Sequence, residues 1–183
     1  MFRQLSPRSI FLINALLALG AGFPVGNSGV GGMSFDRIAP HDDWMEAVSS
    51  GGLLQRVRTT WLADLEGCPR ILSAGEGHGR FAAACARRFP DARLMCLEES
   101  PLMLARGRWR VARTGPPRGS VDRVCASLPA WGPPEGSFDA IATCFFLDCF
   151  DGRVLAEVIE RLAGAATGHD VQWRSAPSRA ASG

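Results

Sequence analysis

The stretch ILSAGEGHGRF, residues 71–81, decides the fold of this chain. Its first four residues are apolar or small, which is typical of a short buried strand, and three glycines follow within five positions. From Arg80 to Phe89 the sequence is rich in alanine and predicts a helix that Pro90 ends. A strand that turns through glycines into a helix is the repeating unit of α/β folds with a parallel sheet.

The same unit recurs on both sides of this stretch. Apolar runs predict strands, and 3.6-residue periodicity predicts helices. Ser100 is a candidate N-cap because Pro101 follows it at the first helical position. The predicted strands are Arg70–Ala74, Arg93–Leu97, Ser120–Cys125 and Phe138–Phe146, and the predicted helices are Trp44–Leu65, Arg80–Phe89, Leu102–Ala112 and Arg153–Ala166. We expect Gly51-Gly52 to break the first of these helices into two pieces. This alternation predicts an α/β fold, a parallel sheet with helices on both faces.

Length and composition exclude several classes of protein. The 183 residues suit one α/β domain, and 46% hydrophobic residues exclude disorder along the whole chain. Twenty Lys and Arg against 18 Asp and Glu predict no nucleic-acid partner and no membrane-coating role. Six cysteines without C-x-x-C spacing predict no metal site and favour reduced thiols in the cytoplasm.

The N-terminal residues 1–32 fit two interpretations. Arg3 and Arg8 precede an apolar run, Ile10–Leu19, which is too short to span a bilayer but resembles the core of a signal peptide. The alternative is a non-native upstream extension, with the true start at Met33. Under either interpretation we expect residues 1–32 to lie outside the fold, and the first leaves secretion as the alternative to the cytoplasm.

Two features point to a nucleotide-like ligand. The turn Gly75-Glu76-Gly77-His78-Gly79 lets backbone approach a ligand, but Arg80 departs from the dinucleotide fingerprint G-x-G-x-x-G/A. Glu98 ends the second predicted strand, where an acid accepts hydrogen bonds from ribose hydroxyls in nucleotide-binding α/β folds.

The residues 71–81, together with CLEESPLMLAR at 96–106, resemble the class I S-adenosylmethionine (SAM)-dependent methyltransferases. Three further stretches are similar to the family: FDRIAP at 35–40, GSFDAI at 136–141 and FFLDCF at 145–150. The resemblance covers Ser34 to about Ala166. It implies a Rossmann-like fold, the cofactor SAM and methyl transfer to a small molecule.

By this resemblance, the glycines would wrap the methionine and ribose of SAM and Glu98 would hold the ribose diol. The loops after the second and third strands would enclose the adenine, and the fourth strand would end beside the methyl group. The implied cofactor-binding residues are Ser73, Gly75, Gly77, Gly79, Glu98, Ser100, Met103, Ser127, Leu128, Thr143, Cys144 and Phe145.

The chain departs from the family pattern in charge and in length. Ser73 and Ser127 stand where the family usually has acids that bind the cofactor. Only residues 168–173 remain for a fifth strand, so we expect an incomplete domain over 33–166, lacking the last strands of the seven-stranded fold. Residues 167–183 are expected to be a disordered tail or the start of strand five.

These observations leave three functions open. In-line methyl transfer needs alignment more than a strong acid or base, so no catalytic residue is assigned. The first hypothesis is a methyltransferase acting on a small-molecule acceptor. A non-catalytic SAM-binding remnant and a nicotinamide-dependent oxidoreductase are the alternatives. The acceptor and the oligomeric state do not follow from the sequence.

Overall fold

The structure, a computed structural model, describes residues 9–15, 53–75, 77–115, 118–128, 130–144, 146–167 and 170–175. They form one sheet of six strands, every neighbouring pair of which is parallel. The strands are β1 Ser9–Ala15, β2 Arg70–Ala74, β3 Arg93–Glu98, β4 Val121–Cys125, β5 Ala140–Cys144 and β6 Asp170–Ser175. Their order across the sheet is β4-β3-β2-β5-β1-β6.

Within the described residues four α-helices connect or flank these strands. They are α1 Leu53–Thr59, α2 Arg80–Arg88, α3 Pro101–Ala112 and α4 Gly152–Gly164, with short 3-10 helices at Leu62–Leu65 and Leu147–Cys149. The predicted start of α3 is confirmed, because the Ser100 hydroxyl accepts a hydrogen bond from the Met103 N–H at 3.2 Å. The predicted helix from Trp44 begins within the described residues only at Leu53.

Side chains on the two faces of the sheet belong to two separate cores. Ile71 and Leu94 pack with Phe81 of α2, whereas Leu72 and Ile141 pack with Val158 of α4. Successive strand residues point to opposite faces, so alternating residues of β2 enter different cores. The α/β fold with helices on both faces is therefore confirmed.

The N-terminal strand corrects one expectation. Ser9–Ala15, which the sequence placed outside the fold, lies between β5 and β6 as strand β1. A parallel strand with neighbours on both sides is a continuous apolar run, and such a run looks like the core of a signal peptide. Consequently β5 is not an edge strand. Residues 16–52, which include Met33, lie outside the described residues. The other domain limits stay predictions, as does the lack of the last strands, although residues 170–175 form β6.

An ionic cluster joins the amino ends of β2 and β5. Asp139 accepts hydrogen bonds from the backbone N–H and the Nε of Arg70, each at 3.0 Å, and from its Nη2 at 2.9 Å. The Thr167 hydroxyl donates to the same carboxylate at 3.3 Å. Partial burial works to raise the pKa of Asp139, but the hydrogen bonds and charge of Arg70 outweigh it and lower that pKa.

Among the described residues no helix is long and apolar enough to cross a membrane. The same residues contain no group of three or more His, Cys, Asp or Glu side chains that could hold a metal ion.

Candidate functional site

The candidate site lies at the carboxyl ends of β2, β3 and β5, where parallel sheets bind their ligands. The turn after β2 contributes Gly75, Gly77 and Gly79, with φ of +67°, +59° and +79°. Residues that carry a side chain rarely adopt this left-handed backbone conformation, so glycine is favoured at all three positions. The three residues nevertheless face different surroundings.

Gly77 has an open side. A Cβ built on it would meet no atom within 4 Å, so nothing in the described protein fills the space that a side chain would take there. Gly79, by contrast, packs directly on the backbone of Gly107 in α3, and a Cβ there would overlap it. Gly79 therefore allows α2 and α3 to approach each other, whereas Gly77 leaves room for a ligand.

Glu98 joins the glycine turn to the start of α3. One carboxylate oxygen accepts a hydrogen bond from the Gly77 N–H at 2.8 Å, and the other accepts one from the Ser100 N–H at 3.0 Å. A carboxylate has about four acceptor positions, so each oxygen retains one for a further donor. Two adjacent hydroxyls fit the remaining pair. The carboxylate thus orients the turn and can also hold a vicinal diol.

Hydrogen bonds bring four of the predicted residues together: Gly77, Glu98, Ser100 and Met103 form one connected chain of contacts. The side chain of Met103 is buried at the first turn of α3, with 6% of its surface exposed. These four residues link the glycine turn to the loop that follows β3.

The other predicted residues are more dispersed. Ser73 and Thr143 are both buried, but their strand positions place them on opposite faces of the sheet. Leu128 packs within the core beneath α4, and Ser127 beside it is half-buried. Cys144 is half-buried at the end of β5. Phe145 lies outside the described residues.

The ring of Phe146 is a feature that the sequence did not single out. A Cβ on Gly75 would overlap this ring, so the ring lies directly against the first glycine of the turn. The Phe150 ring meets it edge-on, with centroids 4.9 Å apart and an interplanar angle of 87°. The segment 145–150 could be predicted to flank the site, but no local pattern indicates which residue reaches Gly75.

Comparison with known proteins agrees with this geometry. Residues 71–167, more than half of the chain, match the family described as "Methyltransferase domain". The chain belongs to this methyltransferase family. The matched residues include the glycine turn, Glu98 and Phe146, so the candidate site lies inside the methyltransferase domain. The family resemblance stated above is therefore confirmed.

One relative of this methyltransferase domain matches only part of the chain. The Type II methyltransferase M.XamI of Xanthomonas campestris pv. amaranthicola is 37% identical over 68 residues. That stretch is 37% of this chain and 13% of that relative, so the chain spans only a small part of it.

Two solved structures share the fold. A protein of Methanococcus maripaludis, provisionally described as an S-adenosyl-L-methionine-dependent methyltransferase, superposes with a TM-score of 0.64 at 12% identity. The superposition covers 84% of this chain and 69% of that one. A SAM-dependent methyltransferase of Leishmania major superposes with a TM-score of 0.54 at 19% identity. This superposition covers 77% of this chain and 55% of that one. The Rossmann-like methyltransferase fold is thereby confirmed.

Proposed function

We propose that this chain is an enzyme that transfers a methyl group from SAM to a small-molecule acceptor. The observation that carries the proposal is the Glu98 carboxylate, bonded to the Gly77 and Ser100 N–H groups beside the open side of Gly77. Membership of the methyltransferase family supports SAM as the cofactor.

The residues of the site fit an adenosine-containing cofactor. Glu98 would accept hydrogen bonds from both ribose hydroxyls, and Gly77 would let the backbone approach the sugar closely. Met103 and the loop at Ser127 and Leu128 would border the adenine, since they follow β3 and β4. The carboxyl ends of β2 and β5, with Gly75 and Cys144, would then border the rest of the molecule. The other implied residues, Ser73, Gly79, Ser100, Thr143 and Phe145, stay in this proposal as predictions.

When bound, SAM supplies a methyl group already activated by the positive charge on its sulfur. The protein then has to hold the acceptor in line with that methyl group and to exclude water. Phe146 and Phe150 follow β5 and are half-buried, so they offer apolar surface for both tasks. We assign no general acid or base.

Two serines predict modest affinity. Ser73 and Ser127 replace acids that usually accept charge-assisted hydrogen bonds in the family, and each lost bond of this kind costs about 1.5–3 kcal/mol. We therefore expect the cofactor to bind more weakly than it would with acids at both positions.

Calorimetric titration of the full chain with SAM and, separately, with NAD tests the cofactor. Binding of SAM but not of NAD is the expected result. Binding of NAD alone would favour the nicotinamide-dependent alternative. Binding of neither by a chain with a cooperative melting transition would contradict the proposed cofactor. A SAM-binding remnant would bind SAM but transfer no methyl group.

Transfer of a radiolabelled methyl group tests the acceptor class. The chain is incubated with labelled SAM and with pools of phenols, amines and thiols, and in parallel with oligonucleotides. We expect label on a small molecule, and label on the oligonucleotides alone would contradict the proposed acceptor.

Because no disulfide joins the six cysteines, we also propose that the chain resides in a reducing compartment, the cytoplasm.

A further inference from the structure

We propose that the ring of Phe146 recognises the positive charge on the cofactor sulfur and so makes the site prefer SAM over its neutral product, S-adenosylhomocysteine (SAH). This inference rests on the function proposed above. It assigns to Phe146 the task of distinguishing substrate from product.

The position of the ring is the first argument. Phe146 follows β5 and precedes the 3-10 helix Leu147–Cys149, and its Cβ, Cγ and Cδ2 all lie against Gly75 at the end of β2. The edge-on contact with Phe150 limits rotation of the ring. The residue is half-buried and packs against the core that contains Val158 of α4, so part of it stays accessible.

The order of the strands gives the direction of the cofactor. Glu98 ends β3, and the residues proposed for the adenine follow β3 and β4, whereas β2 and β5 lie on the other side of β3. With the diol held at Glu98, the 5′ substituent of the ribose leads away from the adenine, across β2 towards β5. That substituent carries the sulfur, and Gly75 and Phe146 stand at the ends of those two strands.

The charge of the sulfur decides what Phe146 can do. SAM is a sulfonium cation, whereas SAH has a neutral thioether, and the two differ by one methyl group. An aromatic face attracts a cation through the ring quadrupole, whereas a neutral thioether makes only a contact of its polarisable sulfur with the ring. Ser73 carries no charge where the family usually has an acid, so the ring becomes the candidate for sensing charge on this side of the ribose.

This arrangement would also assist turnover. Once the methyl group leaves, the sulfur is neutral and its attraction to the ring face is lost. The product would then be held mainly by the ribose and adenine contacts. A site that loses affinity on reaction releases its product more easily.

The test compares the affinities of SAM and SAH by calorimetry in wild type, Phe146→Leu and Phe146→Trp. We expect Phe146→Leu to lower the ratio of SAM affinity to SAH affinity by about 3–10-fold. Phe146→Trp should keep or raise this ratio, because indole binds cations best. Phe150→Leu is the matched control. It removes the neighbouring ring and leaves that of Phe146 in place, so it should lower the ratio less than Phe146→Leu does.

If Phe146 had only a structural role, its replacement would weaken the binding of SAM and of SAH equally. An unchanged ratio of the two affinities in folded Phe146→Leu would therefore overturn the inference. If Phe146→Leu does not fold, a ratio in Phe146→Trp well below that of wild type would overturn it instead. Failure of wild type to bind either ligand would overturn the proposed cofactor itself, which distinguishes the two outcomes.

Discussion

The glycine turn and Glu98 depend on each other at the level of single residues. Glu98 accepts hydrogen bonds from the backbone N–H groups of Gly77 and Ser100, so one side chain fixes both the turn and the start of α3. Hydrogen bonds to a charged acceptor contribute about 1.5–3 kcal/mol each. The residue therefore matters to the fold as well as to any ligand.

Replacing Glu98 by Gln should lower both stability and cofactor affinity. A Gln side chain offers one acceptor oxygen, and its NH₂ group would face a backbone N–H donor, so at least one of the two bonds is lost. We expect a loss of about 1–3 kcal/mol in unfolding free energy without cofactor and at least a tenfold weaker binding of SAM. Urea unfolding and calorimetry measure the two effects.

Glu99→Gln is the matched control for this variant, since Glu99 is an exposed acid next to Glu98. It should leave both quantities unchanged. Unaltered stability together with weakened binding in Glu98→Gln would mean that the carboxylate serves the ligand alone.

The variants Gly77→Ala and Gly79→Ala should separate binding from packing. Both residues have positive φ, which costs an alanine roughly 1–2 kcal/mol. At Gly79 the new methyl also overlaps the Gly107 backbone, so the total loss of stability should reach about 2–5 kcal/mol. At Gly77 the methyl enters open space, so SAM affinity should fall further than stability does.

Melting curves and SAM titrations of these two variants provide the comparison. Equal destabilisation by both would show that Gly77 is as closely packed as Gly79. Normal SAM affinity in Gly77→Ala would show that the open side of the turn does not face the cofactor.

At the level of elements, the ionic cluster at the amino ends of β2 and β5 lies at the opposite edge of the sheet from the glycine turn. Asp139 has a lowered pKa in the folded chain, so its ionised form stabilises the fold above the pKa of the unfolded chain, about 3.9. That contribution is lost as pH falls through the folded pKa. The cluster should therefore contribute least to the free energy of unfolding at acid pH.

Replacing Arg70 by Met should reduce unfolding free energy near neutral pH and leave a smaller difference from wild type near pH 3. The Arg70 side chain is 43% exposed, so solvent weakens the pair and the loss should be about 1 kcal/mol or less at pH 7. Urea unfolding at pH 7, 5 and 3 measures the difference. Arg118→Met, which breaks an exposed pair with Asp91, is the control and should change stability less. If the difference in unfolding free energy between Arg70→Met and wild type stays constant with pH, this role of Asp139 is contradicted.

The elements also show what a single sequence can predict. The boundaries of β2, α2, β3 and α3 follow from local signals, a glycine turn, a proline and the Ser100 cap, and the structure has each within a few residues. The contact between Gly79 and Gly107 and that between Gly75 and Phe146 join residues far apart in the chain. No local periodicity encodes such contacts. The strand at Ser9–Ala15 was missed because a parallel strand with a neighbour on each side has no alternation to reveal it.

For the whole molecule, β1 changes which part of the chain completes the sheet. It pairs with β5 over Leu12–Ala15 and with β6 over Ser9–Asn14, so the N-terminal and C-terminal strands of the described chain are neighbours. Without β1, both β5 and β6 would expose an edge whose N–H and C=O groups have no neighbour. Stability of the sheet therefore depends on residues 9–15 as well as on the family-matched region 71–167.

Ile13→Pro tests this arrangement directly. Ile13 pairs with Ala142 on one side and Arg174 on the other, so proline there removes a backbone donor inside the sheet and forces φ away from extended values. We expect a loss of about 3 kcal/mol or more, which corresponds to a melting temperature lower by roughly 6–12 °C in a domain of this size. Ile13→Val keeps the N–H and the preference for strands, so it should melt close to wild type. A chain shortened to begin at Met33 should show at least the loss seen with proline, because it lacks β1 altogether. Melting temperatures equal to that of wild type in Ile13→Pro and in the shortened chain would instead return residues 1–32 to the place that the sequence suggested, outside the fold, with β5 at the edge of the sheet.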